Sequence, residues 1–319
     1  MIAALAKPAV FALLTRPRRL RRRLDLLAER GVTTILNLHR VAPDDGSGYR
    51  PLAPELFNEL LGFVSRRFHL ATIAALEQPA PRDRPRMILS FDDGYRDFFT
   101  HAMPILARHE LRVNHNLIPA AIERGEAPLN VVAQDFLGRA PIELVRRLDV
   151  PGFDRPITRN GSGALSRFIK YKPHTERQAL ATYLWPQFRA WAEFVPTPVM
   201  TLDEARAVAE HHEIGAHSFH HDSMESESDD HLRADVRACR AWFKRHMALD
   251  PVIYAFPNGS CRPEQIAIAH EEGMRHVLLV GERFVDREAY RFTFDARGRA
   301  EMRFKATGRR VPVPQSAPA

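Results

Sequence analysis

The sequence predicts an α/β protein built from parallel βαβ units. Two observations carry this reading. Short apolar runs of strand length alternate with amphipathic helical stretches, and the residues able to do chemistry fall where those runs end. In parallel α/β folds the strand C-termini are where loops gather reactive groups. At 319 residues the chain has room for one large or two ordinary domains. A hydrophobic content of 45% and a charged content of 27% are those of a soluble globular protein.

The elements follow in order. Thr33 to Val41 is a buried strand, followed by a turn at Pro43-Asp44-Asp45-Gly46. Pro54 to Arg66 has helical spacing, with Phe57, Leu60, Leu61 and Val64 on one face. Arg86 to Phe91 is the second strong strand. Asp97 to His109 is helical, with a kink expected at Pro104. Arg112 to Pro119 is a strand. Thr201 and Glu204 form a capping-box signature for a helix reaching about His212. Strand Glu213 to Ala216 follows, then a helix near Asp229 to His246 with Leu232, Val236, Cys239 and Phe243 on one face. Val252 to Phe256 is a strand, Pro263 to Glu272 a helix stopped by Gly273, and His276 to Val280 another strand.

Three segments break the pattern. Residues 1–29 form a basic amphipathic N-terminal segment: about 14 mostly apolar residues, too few to span a bilayer, precede six arginines between Arg16 and Arg23. The basic residues follow the apolar stretch and no small-residue cleavage site is legible, so it does not read as a signal peptide. The favoured reading is a helix packed on the domain with a solvated arginine face; peripheral contact with an anionic membrane is the second reading. No aromatic platform accompanies the arginines, so no nucleic acid is expected. Residues about 120–200 read as a largely helical insertion whose aromatics pack on one another. Residues 291–319 read as a C-terminal extension, with Val311 to Ala319 disordered. The main domain is placed at 30–290. Cys239 and Cys261 suggest no disulfide framework, and together with the absence of a legible export signal this predicts a cytoplasmic protein, at most peripheral to the inner membrane.

The strand from Arg86 ends in Ser90-Phe91-Asp92-Asp93-Gly94. Adjacent carboxylates disfavour joint ionisation unless a cation, a shared proton or full solvation relieves them. The strand from Glu213 ends in His217-Ser218-Phe219-His220-His221. One carboxylate and two histidines make a three-ligand metal site, and the second carboxylate is then free to act as a base. A spacing of four would put His217 and His221 on one face if a helical turn began there.

These residues resemble the polysaccharide deacetylase family, carbohydrate esterase family 4, with its NodB-homology domain. Ser90 to Gly94 matches the family's Thr/Ser-Phe-Asp-Asp-Gly. His217 to His221 matches His-Ser/Thr-x-x-His, and Pro257-Asn258-Gly259 matches part of Arg-x-Pro-x-Gly. Leu38-His39-Arg40-Val41 looks like the Tyr-His-x-Val strand of many bacterial members. The resemblance implies a distorted, incomplete (β/α) barrel holding one divalent metal, Zn²⁺ first, with Co²⁺, Fe²⁺ or Mn²⁺ as alternatives. It implies Asp93, His217 and His221 as ligands, Asp92 as general base, and Pro257, Asn258 and Gly259 near the oxyanion. The implied activity is hydrolytic removal of N-acetyl groups from an amino sugar in a polysaccharide, a chitooligosaccharide-like oligosaccharide or a lipid-linked precursor. The alternative is a relative that binds metal and sugar without efficient turnover.

Two departures from the family stand out. The arginine that orients the base is replaced by Ala255, so that pairing must come from elsewhere or be absent. No histidine follows His276, so the family's Leu-x-x-His acid has no counterpart. The strand Val113-Asn114-His115-Asn116-Leu117 is more polar than its family equivalent; its side chains could line an altered pocket, and His115 is a candidate replacement acid. His39 could sit at the barrel mouth or be a structural histidine.

Overall fold

The computed structural model describes residues 2–281 and 288–307. Among the described residues there are eight strands, all in parallel pairings: β1 Thr33–Leu38, β2 His69–Ala71, β3 Arg86–Asp92, β4 Asn114–Leu117, β5 Glu213–Ala216, β6 Ile253–Ala255, β7 His276–Val280 and β8 Glu288–Thr293. The order runs β1-β8-β7-β6-β5-β4-β3, and β1 also pairs along its whole length with β3. Seven strands therefore close into a ring, while β2 adds only to the first half of β3. The barrel is distorted as well as short of eight: β5 and β6 share a single register pair, Ala216 with Tyr254.

Period-two alternation explains the interior. Odd and even positions of each strand go to opposite sides, so Ile35, Ile88, Ile253 and Leu278 meet in a small apolar cluster inside the ring. Two residues further along, Asn37, Ser90 and Arg291 form a hydrogen-bonded polar layer, joined by Asn114 and Asn116 of β4. The next step in β3 is Asp92. The outward residues, among them Leu36, Leu38, Met87, Leu89, Phe91, Val277 and Leu279, pack with the surrounding helices in the main core. An apolar plug, a polar layer and then carboxylate chemistry thus succeed one another along the barrel axis.

The surrounding helices form where the pattern places them. Pro54–Ser65 buries Phe57, Leu60, Leu61 and Val64. Asp229–Met247 buries Leu232, Val236, Cys239 and Phe243, and the capping box of Thr201 and Glu204 opens Leu202–His211. Gly273 ends the Pro263–Glu271 helix with φ +92°. The break expected at Pro104 is a π turn over Phe98–Ala102, followed by the helix Met103–Arg108. Proline cannot donate to the carbonyl four residues back, and the turn widens just before it.

Between β4 and β5 the chain passes through the helices Leu129–Arg139, Ile142–Arg147, Ser162–Lys170 and His174–Arg189. These close over an apolar cluster distinct from the main core, including Phe136, Leu165, Ile169, Leu184 and Phe188. Tyr171 and Tyr183 remain exposed. The domain boundary read at 290 falls inside β8, and the helix Arg299–Ala306 packs back on the molecule, so residues 291–307 are part of the folded body. The segment Val311 to Ala319 lies outside the described residues.

Candidate metal and catalytic site

β3 delivers Asp92 and Asp93 to the mouth of the barrel. The chain must turn sharply to separate two adjacent carboxylates. Asp93 (φ 76°) and Gly94 (φ 74°) both adopt the left-handed conformation, which aspartate tolerates better than most residues and glycine adopts freely. A Cβ at position 94 would also press to 3.3 Å from Leu117.

His217 and His221 reach Asp93 from the loop after β5, with Nε2 atoms 3.3 and 3.5 Å from Asp93 Oδ1. They do so without a helical turn. Ser218 (φ 57°) and His221 (φ 60°) are left-handed, and the loop coils so that the two rings meet edge to face at 5.1 Å. Asp235, on the Asp229–Met247 helix, holds this coil. Its carboxylate accepts hydrogen bonds from Ser218 Oγ, the Phe219 N–H and Tyr254 Oη at 2.9, 2.9 and 2.7 Å. Sequence reading missed Asp235 because the helix was assigned by its apolar face alone. Asp222 makes a second anchor, accepting from Arg177 and His231 and contacting His174. Asp222, Glu227 and His231 lie close enough to hold an ion. Arg177 already neutralises the buried Asp222 carboxylate, so this cluster reads as structural.

The trio Asp93, His217 and His221 is buried and brings three ligand atoms within 4.8 Å of one another. His217 Nδ1 lies 2.7 Å from the Ala255 carbonyl oxygen. That acceptor places the ring proton on Nδ1 and leaves Nε2 as a lone-pair donor, the usual arrangement behind a metal-bound histidine. Asp93 Oδ1 is buried without a hydrogen-bond partner. Burial drives the His221 imidazole down to about 3, which keeps it neutral and able to ligate. Burial also works against the charge on His217, but Asp92 and then Asp93 outweigh it and raise that imidazole above its ordinary value. The two carboxylates therefore favour positive charge at the spot where the ligand atoms converge. These features fit a divalent cation.

Asp92 is held differently. Its Oδ1 accepts hydrogen bonds from Arg291 Nη1 at 2.6 Å and Asn116 Nδ2 at 2.8 Å. Its Oδ2 faces His217 at 3.8 Å and His39 at 4.0 Å. Burial alone would raise this carboxyl; Arg291, then His217 and His39, more than offset it and hold Asp92 below the usual carboxylate range. Arg291 is fully buried and also donates to Ser90 Oγ at 3.0 Å and Asn37 Oδ1 at 3.2 Å. Ala255 therefore leaves no gap in the electrostatics: an arginine from β8 pairs with Asp92, while Ala255 contributes its carbonyl to His217. No sequence signal marked Arg291, because its strand is not apolar.

The remaining candidates separate. Pro257, Asn258 and Gly259 form a tight turn at the end of β6, with Asn258 at φ 61° and its Nδ2 bonded to Ser223 Oγ at 3.0 Å. A Cβ at position 259 would meet the Val280 backbone nitrogen at 2.6 Å, so glycine is required there. His39 stands half-buried at the mouth. His115 does not reach the site. Its neighbours Asn114 and Asn116 take the inward parity of β4, and His115 points outward against Phe98 at 4.2 Å, with burial lowering it to about 3. It is excluded as the replacement acid. His220 packs on His174 and Phe219 instead of joining the trio. With His221 it lines a cavity of about 170 Å³, walled on the insertion side by Arg177, Gln178 and Trp185.

The structure is thus a parallel seven-stranded barrel with paired aspartates and two histidines at its C-terminal mouth. Comparison with known proteins gives a family match over part of the chain. The family model for polysaccharide deacetylases matches residues 193–277, which include the His217–His221 loop and β6. No curated protein sequence matches. Among solved structures, the chain is similar to IcaB from Ammonifex degensii, at 14% identity and a TM-score of 0.52 over 82% of this chain and 91% of that one. It is also similar to a de-N-acetylase from Aggregatibacter actinomycetemcomitans, at 14% identity and a TM-score of 0.50 over 82% and 95%. A third similar structure is BC0361, a polysaccharide deacetylase from Bacillus cereus, at 8% identity and a TM-score of 0.53 over 86% and 68%. At these identities the structural likeness speaks for the fold alone. Over residues 193–277 the chain resembles the polysaccharide deacetylase family.

Proposed function

We propose that this protein is a metal-dependent hydrolase that removes the N-acetyl group from an amino sugar in a glycan or its lipid-linked precursor. The observation that carries the proposal is the division of labour within one buried pair: Asp93 faces two histidines, whereas Asp92 is tied to Arg291 and Asn116. In this reading Asp93, His217 and His221 hold one divalent ion, with Zn²⁺ the first choice for this donor set. When bound, such an ion supplies Lewis acidity toward the acyl oxygen and lowers the pKa of water. Asp92, kept ionised by Arg291, accepts a proton from the attacking water. The turn at Pro257, Asn258 and Gly259 frames the side of the site next to His217. His39, the other imidazole within 4.0 Å of Asp92, delivers a proton to the departing amine; burial lowers its hold on that proton, against which Asp93 and then Asp92 act. The cavity between His221 and the insertion would receive a neighbouring part of the sugar chain, against Trp185 and Arg177.

The test is acetate release from chitooligosaccharides and from poly-N-acetylglucosamine, after chelation and after addition of Zn²⁺ or Co²⁺. Release that disappears on chelation and returns with metal supports the proposal. Stoichiometric metal without release from either glycan would favour a binding protein instead. Release that ignores chelation would refute the metal assignment.

A further inference from the structure

We propose that the helix Ile2–Leu14, the arginine run after it and the cleft behind them form a docking face for an anionic phospholipid bilayer. The first observation is charge. In formal charge, Lys7, Arg30 and the six arginines from Arg16 to Arg23 are offset by Asp25 and Glu29 alone in the first 30 residues, which therefore carry +6 of the chain's +7. The second is exposed apolar surface beside that charge. Val10, Leu13 and Leu14 are 50%, 40% and 36% exposed, lie at i, i+3 and i+4 on one helical face, and have no charged residue among them. An adjoining side of this helix is used: Phe11 packs on Phe304 at 5.4 Å.

The helix Pro17–Glu29 buries Leu20, Leu24 and Leu27, which turns Arg18, Arg19 and Arg22 to solvent. None of these three makes an ion pair among the described residues. Behind them opens a cleft of about 950 Å³ lined by Leu20, Leu24, Phe63 and Met302, with Arg21, Arg66, Arg84 and Arg303 outnumbering the carboxylates Asp25, Glu59 and Asp83 on its wall. It borders Pro85, just before β3 begins, and so lies at the end of the barrel away from the Asp92 mouth. An apolar helical face flanked by free guanidinium groups matches the boundary between acyl chains and anionic headgroups. Nucleic acid would use the arginines but leave Val10, Leu13 and Leu14 without a role. Docking through this face would leave the catalytic mouth pointing away from the lipid.

The test is co-sedimentation of the full chain with vesicles of phosphatidylcholine alone and of phosphatidylcholine with phosphatidylglycerol. Binding is expected only with phosphatidylglycerol and should weaken as salt rises. Arg18→Ser with Arg22→Ser should weaken it by roughly 25-fold, from about fivefold per arginine lost near such a surface. Leu13→Ser with Leu14→Ser should weaken it by at least about tenfold. Both double variants should keep wild-type acetate release from soluble chitooligosaccharide and wild-type thermal unfolding. Failure to bind either vesicle would overturn the proposal, as would equal binding by both variants. Tight binding to short duplex DNA that ignores the leucine substitutions would assign the face to nucleic acid instead.

Discussion

Replacing Arg291 with methionine should separate a supporting arginine from a bystander. Arg291 is fully buried and donates to Asp92 in the site and to Ser90 and Asn37 in the polar layer directly beneath it. Among the described residues its Nε and Nη2 make no hydrogen bond, so the guanidinium is held mainly through Nη1. Methionine keeps most of the volume but leaves Asp92 buried with only the Asn116 amide as a donor. Removing one partner of a buried ion pair costs about 3–5 kcal/mol, because the other charge is left uncompensated. For a chain of this size that is a fall in Tm on the order of 10 °C. The same loss removes the principal positive neighbour that keeps Asp92 ionised, so the acid limb of kcat/KM should move to higher pH. Thermal unfolding and pH–rate profiles of Arg291→Met, Asp92→Asn and the double variant make a complete cycle. The second substitution should cost less in the background of the first, with a coupling of about 2–3 kcal/mol. Additive stability losses with an unmoved acid limb would refute the pairing as the support of the base.

The other expectations can be tested alongside. His217→Ala and His221→Ala should each abolish divalent-metal binding measured by elemental analysis, while His220→Ala should retain it, since His220 packs on His174 and stands outside the trio. His39→Gln should keep the metal and lower kcat by ~10²-fold or more, with loss of the alkaline limb of the pH profile, as for a general acid; unchanged kcat would remove His39 from the chemistry. His115 should make the fold acid-sensitive. Its folded-state value is about 3 against 6.5 for an ordinary histidine, so below pH 6.5 the unfolded chain takes up a proton that the folded chain refuses. Stability from this residue is therefore lost as pH falls from 6.5 toward 3, by about 2 kcal/mol at pH 5. Chemical denaturation at pH 8 and pH 5 should show His115→Leu losing about that much less than wild type, and equal losses would contradict the assignment.

Strands such as β1, β3, β6 and β7 were legible because each is a short apolar run, and Asp92-Asp93 and His217–His221 stood out because carboxylates or imidazoles cluster where β3 and β5 end. β8 was not legible. Glu288 and Arg291 interrupt its apolar pattern, and Arg291 belongs inside only because Asp92 receives it there. The domain boundary was consequently drawn through the strand that closes the ring. Parity in β4 was readable in principle: if the inward positions are polar, Asn114 and Asn116 go in and His115 goes out. The spacing of His217 and His221 suggested a helical turn, whereas the loop reaches the same convergence through two left-handed residues pinned by Asp235. Such conformations depend on tertiary partners and leave little trace in residue spacing.

The central claim is that two adjacent aspartates do different work, and metal stoichiometry measured beside turnover tests it most directly. Asp92→Asn preserves the shape of a side chain that touches Arg291 and Asn116, so it should keep close to one divalent ion per chain while deacetylation falls by at least ~10²-fold, the range expected for a lost general base. Asp93→Asn removes the only carboxylate facing His217 and His221 in the trio, so it should lose the ion first and activity with it. If Asp92→Asn strips the ion while Asp93→Asn retains it, the roles are reversed. Equal turnover in both variants and wild type would place the chemistry elsewhere.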